Sequence, residues 1–248
     1  MFAPRATSES FPRLFAGETC LRSSAFICGF KNQLRARRWP NPAGFANLAG
    51  VSALTAETLL NAYANGIFPM AVNKRGDIRW FSPDPRAIIP LDDRFHVPHG
   101  LQRTLKKKPY EVTVNQDFEG VMRACSTSHG ETWISKEIIR SYGELHLLGF
   151  AHSVETRRDS ELVGGLYGVQ IRGAFFGESM FHRATDASKV ALVALVERLR
   201  ARGFLLLDTQ WTTPHLEQFG TMEVPRADYL ELLRQALKRE TAFDVTHR

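Results

Sequence analysis

With 248 residues, 23% of them charged, and 18 Gly and 12 Pro, the chain has ordinary globular usage, which excludes collagen, a coiled coil and a wholly disordered polymer. Its longest unbroken aliphatic run is Val190 to Val196, against the ~20 residues a membrane-spanning helix needs, so a soluble protein without a membrane partner is expected. The net charge of +6 is uneven: residues 1–50 hold seven Lys/Arg and two Glu, while the rest is nearly balanced, so whole-chain charge says little about a polyanionic partner.

Residues 1–50 show no sustained helical or strand period. They read as a transit peptide, a disordered extension or a start assigned too far upstream, and no function is placed there. Cys20, Cys28 and Cys125 form no C-x-x-C pair and leave an odd count, which fits a reducing compartment, the cytoplasm, and argues against a disulfide framework or a cysteine zinc site. From Thr55 the pattern changes. Thr55 is a candidate N-cap, Leu59, Leu60 and Tyr63 share a face, and Gly66 suits a stop. A polar turn at Asn73 to Asp77 follows, and Pro83 and Pro85 then make Arg79 to Arg86 a rigid connector.

Beyond Arg86 the expected elements alternate: a strand at Ala87 to Ile89, a helix near Gly100 to Lys106, a strand at Glu111 to Val114, and helices near Asp117 to Ala124 and Ser135 to Leu148. Three closely spaced strands, Ala151 to Thr156, Leu162 to Gln170 and Ala174 to Phe181, read as an antiparallel meander. Asp186 is positioned to cap a buried helix from Ala187 to Ala201, and Phe204 to Leu207 reads as a buried strand that delivers Asp208 at its end. A last helix runs from about Ala227 to Lys238.

Chemistry has few places to sit. Asp208-Thr209-Gln210 ends an apolar strand, where sheets line ligand crevices, although an aspartate there can equally bond a backbone amide. Glu178 interrupts the apolar strand Gly177 to His182 and is either functional or an acid on a solvated edge. The glycines of Leu162 to Gly168 imply tight packing or ligand approach. Gln170 to Phe175 superficially matches an acyl-CoA pyrophosphate loop, but Phe175 stands where a small residue is wanted and a strand follows. His96 and His99 lack zinc-protease spacing, so no metal is expected. Lys106, Lys107 and Lys108, with Arg94 and Arg103, make the dense basic cluster of the body, which is either a solvated face or a nucleic-acid contact.

Taken in order, Tyr63-Ala-Asn-Gly-Ile-Phe-Pro69, Trp80-Phe-Ser-Pro-Asp-Pro-Arg86, Thr132-Trp-Ile134, Ala151-His-Ser-Val-Glu155, Leu162-Val-Gly-Gly-Leu-Tyr-Gly168, Gly177-Glu-Ser-Met-Phe181, Ala187-Ser-Lys189, Asp208-Thr-Gln210 and Pro225-Arg226 resemble the leucyl/phenylalanyl-tRNA–protein transferases. The resemblance implies transfer of Leu or Phe from aminoacyl-tRNA to the N-terminal Arg or Lys of a protein, a tag for degradation by the N-degron route, with no cofactor. It implies an α+β fold: after the extension at 1–50, a small N-terminal domain at 51–84 and a GNAT-like acyltransferase domain at 85–248 with a mixed, largely antiparallel sheet. A monomer is expected. Carried over, Asp208 and Gln210 match the catalytic pair and Glu178 an acid beside them. Leu166, Phe175, Met180 and Leu207 match the Leu/Phe pocket, and Trp133, Tyr142 and Tyr63 match aromatics at the aminoacyl-adenosine end. Asp208 is the expected proton acceptor, directly or through Gln210. Arg86 and Lys106 to Lys108 are expected to touch the tRNA backbone. The chain differs from the family's usual pattern at Gly50 to Leu54, Met70, Leu166 and His182. Two other readings stay open, an acyl-CoA N-acetyltransferase and a tRNA-binding protein without transfer activity.

Overall fold

The structure is a computed structural model that describes residues 54–73, 75–128 and 132–244, so the readings placed on residues 1–50 lie outside it. The first helix among the described residues, α1 (Ala56–Ala64), starts where the capping pattern puts it. Thr55 Oγ1 accepts from the Thr58 N–H at 3.2 Å, and Gly66, at φ +73°, turns the chain out after the helix. Of the expected connector Arg79 to Arg86, residues 82–85 do link two strands without regular structure, while its first three residues belong to a hairpin and Arg86 opens the next strand. Strand β1 (Phe68–Ala71) pairs antiparallel with β2 (Ile78–Phe81), Pro69 facing Trp80, because both strands of a two-stranded ribbon are edges and tolerate proline.

The remaining strands form one seven-stranded sheet in the spatial order β4 (Glu111–Val114), β5 (Ala151–Arg158), β6 (Glu161–Ile171), β7 (Ala174–His182), β8 (Leu206–Gln210), β3 (Arg86–Ile89) and β9 (Met222–Val224). All neighbours are antiparallel except β7 and β8, which run parallel from Ala174 opposite Leu206 to Phe176 opposite Asp208. A parallel pair needs a crossover, and helix α5 (Ala187–Ala201) supplies it. The predicted meander is β5, β6 and β7, and the predicted helices are α2 (His99–Lys107), α3 (Phe118–Thr127), α4 (Lys136–Leu147) and α7 (Arg226–Ala236). A short α6 (Pro214–Glu217) and the three-residue β9 have too few residues for a readable period.

The two faces of the sheet are built differently. Helix α5 lays Val190, Leu192, Leu195, Val196 and Leu199 on Leu166, Phe175 and Leu207, forming the apolar core. Gly164 permits that approach, since a Cβ there would stand 2.6 Å from the Ala187 Cβ, so this glycine of the run serves packing. On the other face aromatic rings dominate: Tyr167 meets Phe118 and Tyr142 edge-on, and Tyr63 lies 4.9 Å from Phe176.

Two local expectations are corrected. Asp186 sits at the N-cap position of α5 with φ +62° and caps nothing with its side chain. It accepts instead from Thr104 Oγ1 at 3.0 Å and pairs with Lys189 at 3.2 Å. The strand before Asp208 begins at Leu206, because Leu205 is 53% exposed and only Phe204 of the preceding pair is buried.

Candidate active site

Two β-bulges create the site. Across β6 and β7, Tyr167 faces Ser179 and Gly168 faces Gly177, which leaves Glu178 as the extra residue. Across β3 and β8, Ala87 faces Gln210 and Ile88 faces Asp208, which leaves Thr209 extra. A Cβ on Gly168 would come 2.3 Å from the Phe176 carbonyl oxygen, so the first bulge requires glycine there. Parallel pairing ends at Phe176 and Asp208, two residues before Glu178 and one before Thr209, and a cavity of about 560 Å³ opens beyond it. Leu166, Met180, Leu192, Leu195, Leu207 and Leu216 give the cavity apolar walls, while Glu178 and Gln210 supply polar groups.

Asp208 lies behind this opening, with no exposed surface and no place in the cavity wall. Its Oδ1 accepts from Arg86 Nε at 2.9 Å and from the Gln210 N–H at 2.9 Å. Its Oδ2 accepts from Arg86 Nη2 at 2.7 Å and from Tyr229 OH at 2.7 Å. Four donors fill the lone-pair directions of the carboxylate, so of the two expected routes Asp208 is corrected as a direct proton acceptor, which leaves action through Gln210.

Arg86 is likewise corrected as a tRNA contact: it is 0% exposed and cannot reach a phosphate. Besides Asp208 it donates from Nη1 to the Gly66 carbonyl oxygen at 3.0 Å, and its guanidinium lies over the rings of Phe68 and Tyr229 at 4.8 and 4.5 Å. Burial acts to lower its pKa, but the charge and hydrogen bonds of Asp208 outweigh burial and hold it above the ordinary arginine value. Arg86 therefore stays protonated.

Gln210 has φ +62°, the left-handed region, which costs a non-glycine residue ~1–3 kcal/mol and persists where surroundings over-determine it. Its Nε2 donates to Glu178 Oε1 at 3.2 Å. The other Glu178 oxygen accepts from Tyr142 OH at 3.3 Å, and the Tyr142 hydroxyl also meets that of Tyr63. Burial pushes Glu178 up to about 8, opposed by hydrogen bonding from Tyr63 and reinforced by the Asp208 charge. Burial also holds Tyr63, Tyr142 and Tyr229 well above the ordinary tyrosine value, so all three remain hydroxyl donors.

Of the predicted pocket residues, Leu166, Met180 and Leu207 line the cavity, and Phe175 does not. It precedes the bulge, is fully buried, and stacks on Phe243 at 5.2 Å in the core beneath α5. Tyr63 and Tyr142 are also fully buried and line no part of the cavity. They are corrected from contacts with the aminoacyl-adenosine end to braces beneath Glu178. Trp133, half-buried, does line the cavity. Lys106, Lys107 and Lys108 are exposed at the end of α2.

Phe68, Met70, Leu192, Leu195 and Trp211 join the wall without having been singled out as site residues. Trp211 carried a readable signal, an exposed tryptophan directly after Asp-Thr-Gln, and it is held edge-on by Phe68 and Phe81 at 5.1 and 6.2 Å. Among the described residues no group of three or more His, Cys, Asp or Glu is placed to hold a metal ion. No helix among them is long and apolar enough to cross a membrane.

The site thus joins an apolar pocket to a carboxyl group and an amide, the arrangement of a transferase that seats an apolar group and reacts at its edge. The family model described as leucyl/phenylalanyl-tRNA protein transferase matches residues 88–234, and the model of that family's N-terminal domain matches residues 52–84. The leucyl/phenylalanyl-tRNA–protein transferase of Akkermansia muciniphila is 58% identical over 189 residues, covering 75% of this chain and 98% of that protein. That of Herpetosiphon aurantiacus is 56% identical over 190 residues, covering 77% and 98%. Among solved structures, L-PGS from Bacillus licheniformis aligns at 13% identity over 66% of this chain and 55% of its own, with a TM-score of 0.37, too low to define a shared fold. The chain belongs to the leucyl/phenylalanyl-tRNA–protein transferase family, a family of aminoacyltransferases.

Proposed function

We propose that this chain moves Leu or Phe from aminoacyl-tRNA to the N-terminal Arg or Lys of acceptor proteins in the cytoplasm, marking them for degradation. One observation carries the reading: Glu178 and Gln210 meet at 3.2 Å on the rim of a cavity with leucine and methionine walls. The Leu or Phe side chain fills the apolar part, which leaves the ester at the rim. The acceptor's α-amine attacks the ester carbonyl, the new amide C–N bond forms, and the C–O bond to the ribose breaks. Glu178 accepts the proton shed by the amine and returns it to the leaving ribose oxygen, while the Gln210 amide orients the carbonyl or amine. Asp208 contributes by holding Gln210.

The GNAT-like reading of residues 85–248 is supported by a single parallel pair, β7 and β8, within an otherwise antiparallel sheet. The small N-terminal domain at 51–84 contributes the cavity residues Phe68 and Met70. The acyl-CoA alternative loses support because Gln170 to Phe175 is the paired end of β6 and β7 around a two-residue turn, Arg172-Gly173, with Arg172 at φ +51° and a strand, not a helix, following it. We read the protein as a monomer that needs no cofactor.

The test is incubation with radiolabelled Phe-tRNA and peptides that begin with Arg, Lys or Ala. Label on the Arg and Lys peptides and none on Ala is expected. Binding of tRNA without transfer would replace this reading by an RNA-binding role, and calorimetric binding of acetyl-CoA would replace it by acyl-CoA chemistry. Replacing Lys106, Lys107 and Lys108 together by Ala should raise the KM for Phe-tRNA and lower the slope of log affinity against log salt by about one per lost phosphate contact, with the KM for peptide unchanged. An unchanged salt slope would remove this cluster from the tRNA interface.

A further inference from the structure

Asp208 accepts four hydrogen bonds while facing no substrate space, so its role must be exerted through whatever it holds. One of those four donors is the Gln210 backbone N–H, at the residue whose φ of +62° needs an external restraint. The Asp208 carboxylate is in turn fixed by Arg86, side-on through Nε and Nη2, and by the Tyr229 hydroxyl. The third arm of the guanidinium reaches the Gly66 carbonyl, two residues before Phe68 in the cavity wall. One planar cation therefore ties the β1 side of the cavity to the strand that ends in Gln210.

We propose that Arg86 and Tyr229 are positioning residues, which set the Gln210 amide against Glu178 by clamping Asp208 and keep the β1 wall in register with that rim. The assignment rests on the transfer reading above. Lysine at position 86 keeps the charge but cannot make two parallel bonds to Asp208 and a third to Gly66. A misplacement of about 1 Å at a reacting group can cost roughly 100-fold in rate.

The test uses the full chain with Arg86→Lys and, separately, Tyr229→Phe, following steady-state transfer from Phe-tRNA to a peptide beginning with Arg, and amide hydrogen exchange at Gln210. The expected result is a kcat lowered by roughly 100-fold in Arg86→Lys and by about tenfold in Tyr229→Phe, the loss of one hydrogen bond to a charged group. The salt dependence of the KM for Phe-tRNA should stay at the wild-type level, and exchange at the Gln210 amide should be faster in both variants. Folded variants with kcat within about twofold of wild type, or unchanged Gln210 exchange, would reduce the clamp to a structural ion pair. A raised KM for Phe-tRNA with a shallower salt slope would return Arg86 to the tRNA interface. Should Arg86→Lys not fold, Tyr229→Phe decides. A wild-type protein that transfers nothing removes the transfer reading, and the exchange measurement still judges the clamp.

Discussion

Replacing Glu178 with Gln should lower the single-turnover transfer rate by ~10²–10⁴-fold, the usual contribution of a positioned proton acceptor, and should change the shape of the pH profile. In the wild type the Glu178 carboxylate is held up to about 8, so its ionised fraction rises tenfold per pH unit until that point and then levels. The acceptor's α-amine titrates at ~7.7–8.0 and must also lose a proton to attack. The logarithm of the wild-type rate should therefore climb with a slope near two below pH 7 and flatten above 8, whereas the Glu178→Gln variant keeps only the slope of one that belongs to the amine. Identical slopes in the two proteins would take the proton away from Glu178. Stability gives an independent check. The folded chain binds this proton more tightly than the unfolded chain, whose carboxyl titrates near the ordinary 4.5. The wild type should therefore lose stability as pH rises from 4.5 to about 8 and level off above, a decline that urea midpoints should show to be smaller in Glu178→Gln.

Asp208→Ala should be the most destabilising single change at the site, because it strands a guanidinium side chain that is 1% exposed. Breaking one side of a buried ion pair costs ~3–5 kcal/mol, a large share of a typical domain's stability. Removing both charges is a different experiment. Arg86→Met combined with Asp208→Leu replaces the pair by apolar volume and should recover much of the lost stability, while transfer stays low because nothing restrains Gln210. Urea unfolding of the two single variants and the double variant measures the interaction directly. Additive losses would show that the pair is not an energetic unit.

Local signals carried far in this chain. Thr55 and Ser135 cap their helices through side-chain bonds to the third residue on, and Gly66 and Gly149 take the left-handed turns that end them. The meander and the buried α5 follow from period and run length for the same reason: each signal lies within a dozen residues. The burial of Arg86 is not legible locally because its partner lies 122 residues away, and nothing near Pro85 tells a solvent-facing arginine from one aimed at a buried aspartate. Phe175, Leu166 and Leu207 are alike in sequence character. Which of them faces the cavity depends on where the register slips, a property of the pairing of strands and not of any one strand. Glu178 stands out in sequence as an acid in an apolar strand, but the bulge that aims it depends on its opposite neighbours. For Trp211 the one signal in sequence is its place directly after Asp-Thr-Gln; its role in the wall depends on the bracing by Phe68 and Phe81, which no local pattern carries.

The two neighbouring bulges separate tasks that most pockets combine. Each places its reacting group by offsetting a strand one position, so the rim is fixed by backbone count. The walls are made by Leu166, Met180 and Leu207, side chains outside the two extra positions. Exchanges among Leu, Met and larger or smaller apolar residues at those wall positions can resize the space for the transferred amino acid while the rim keeps its spacing. The architecture is modular: a lineage can retune which aminoacyl group it carries without rebuilding the machinery that hands it over.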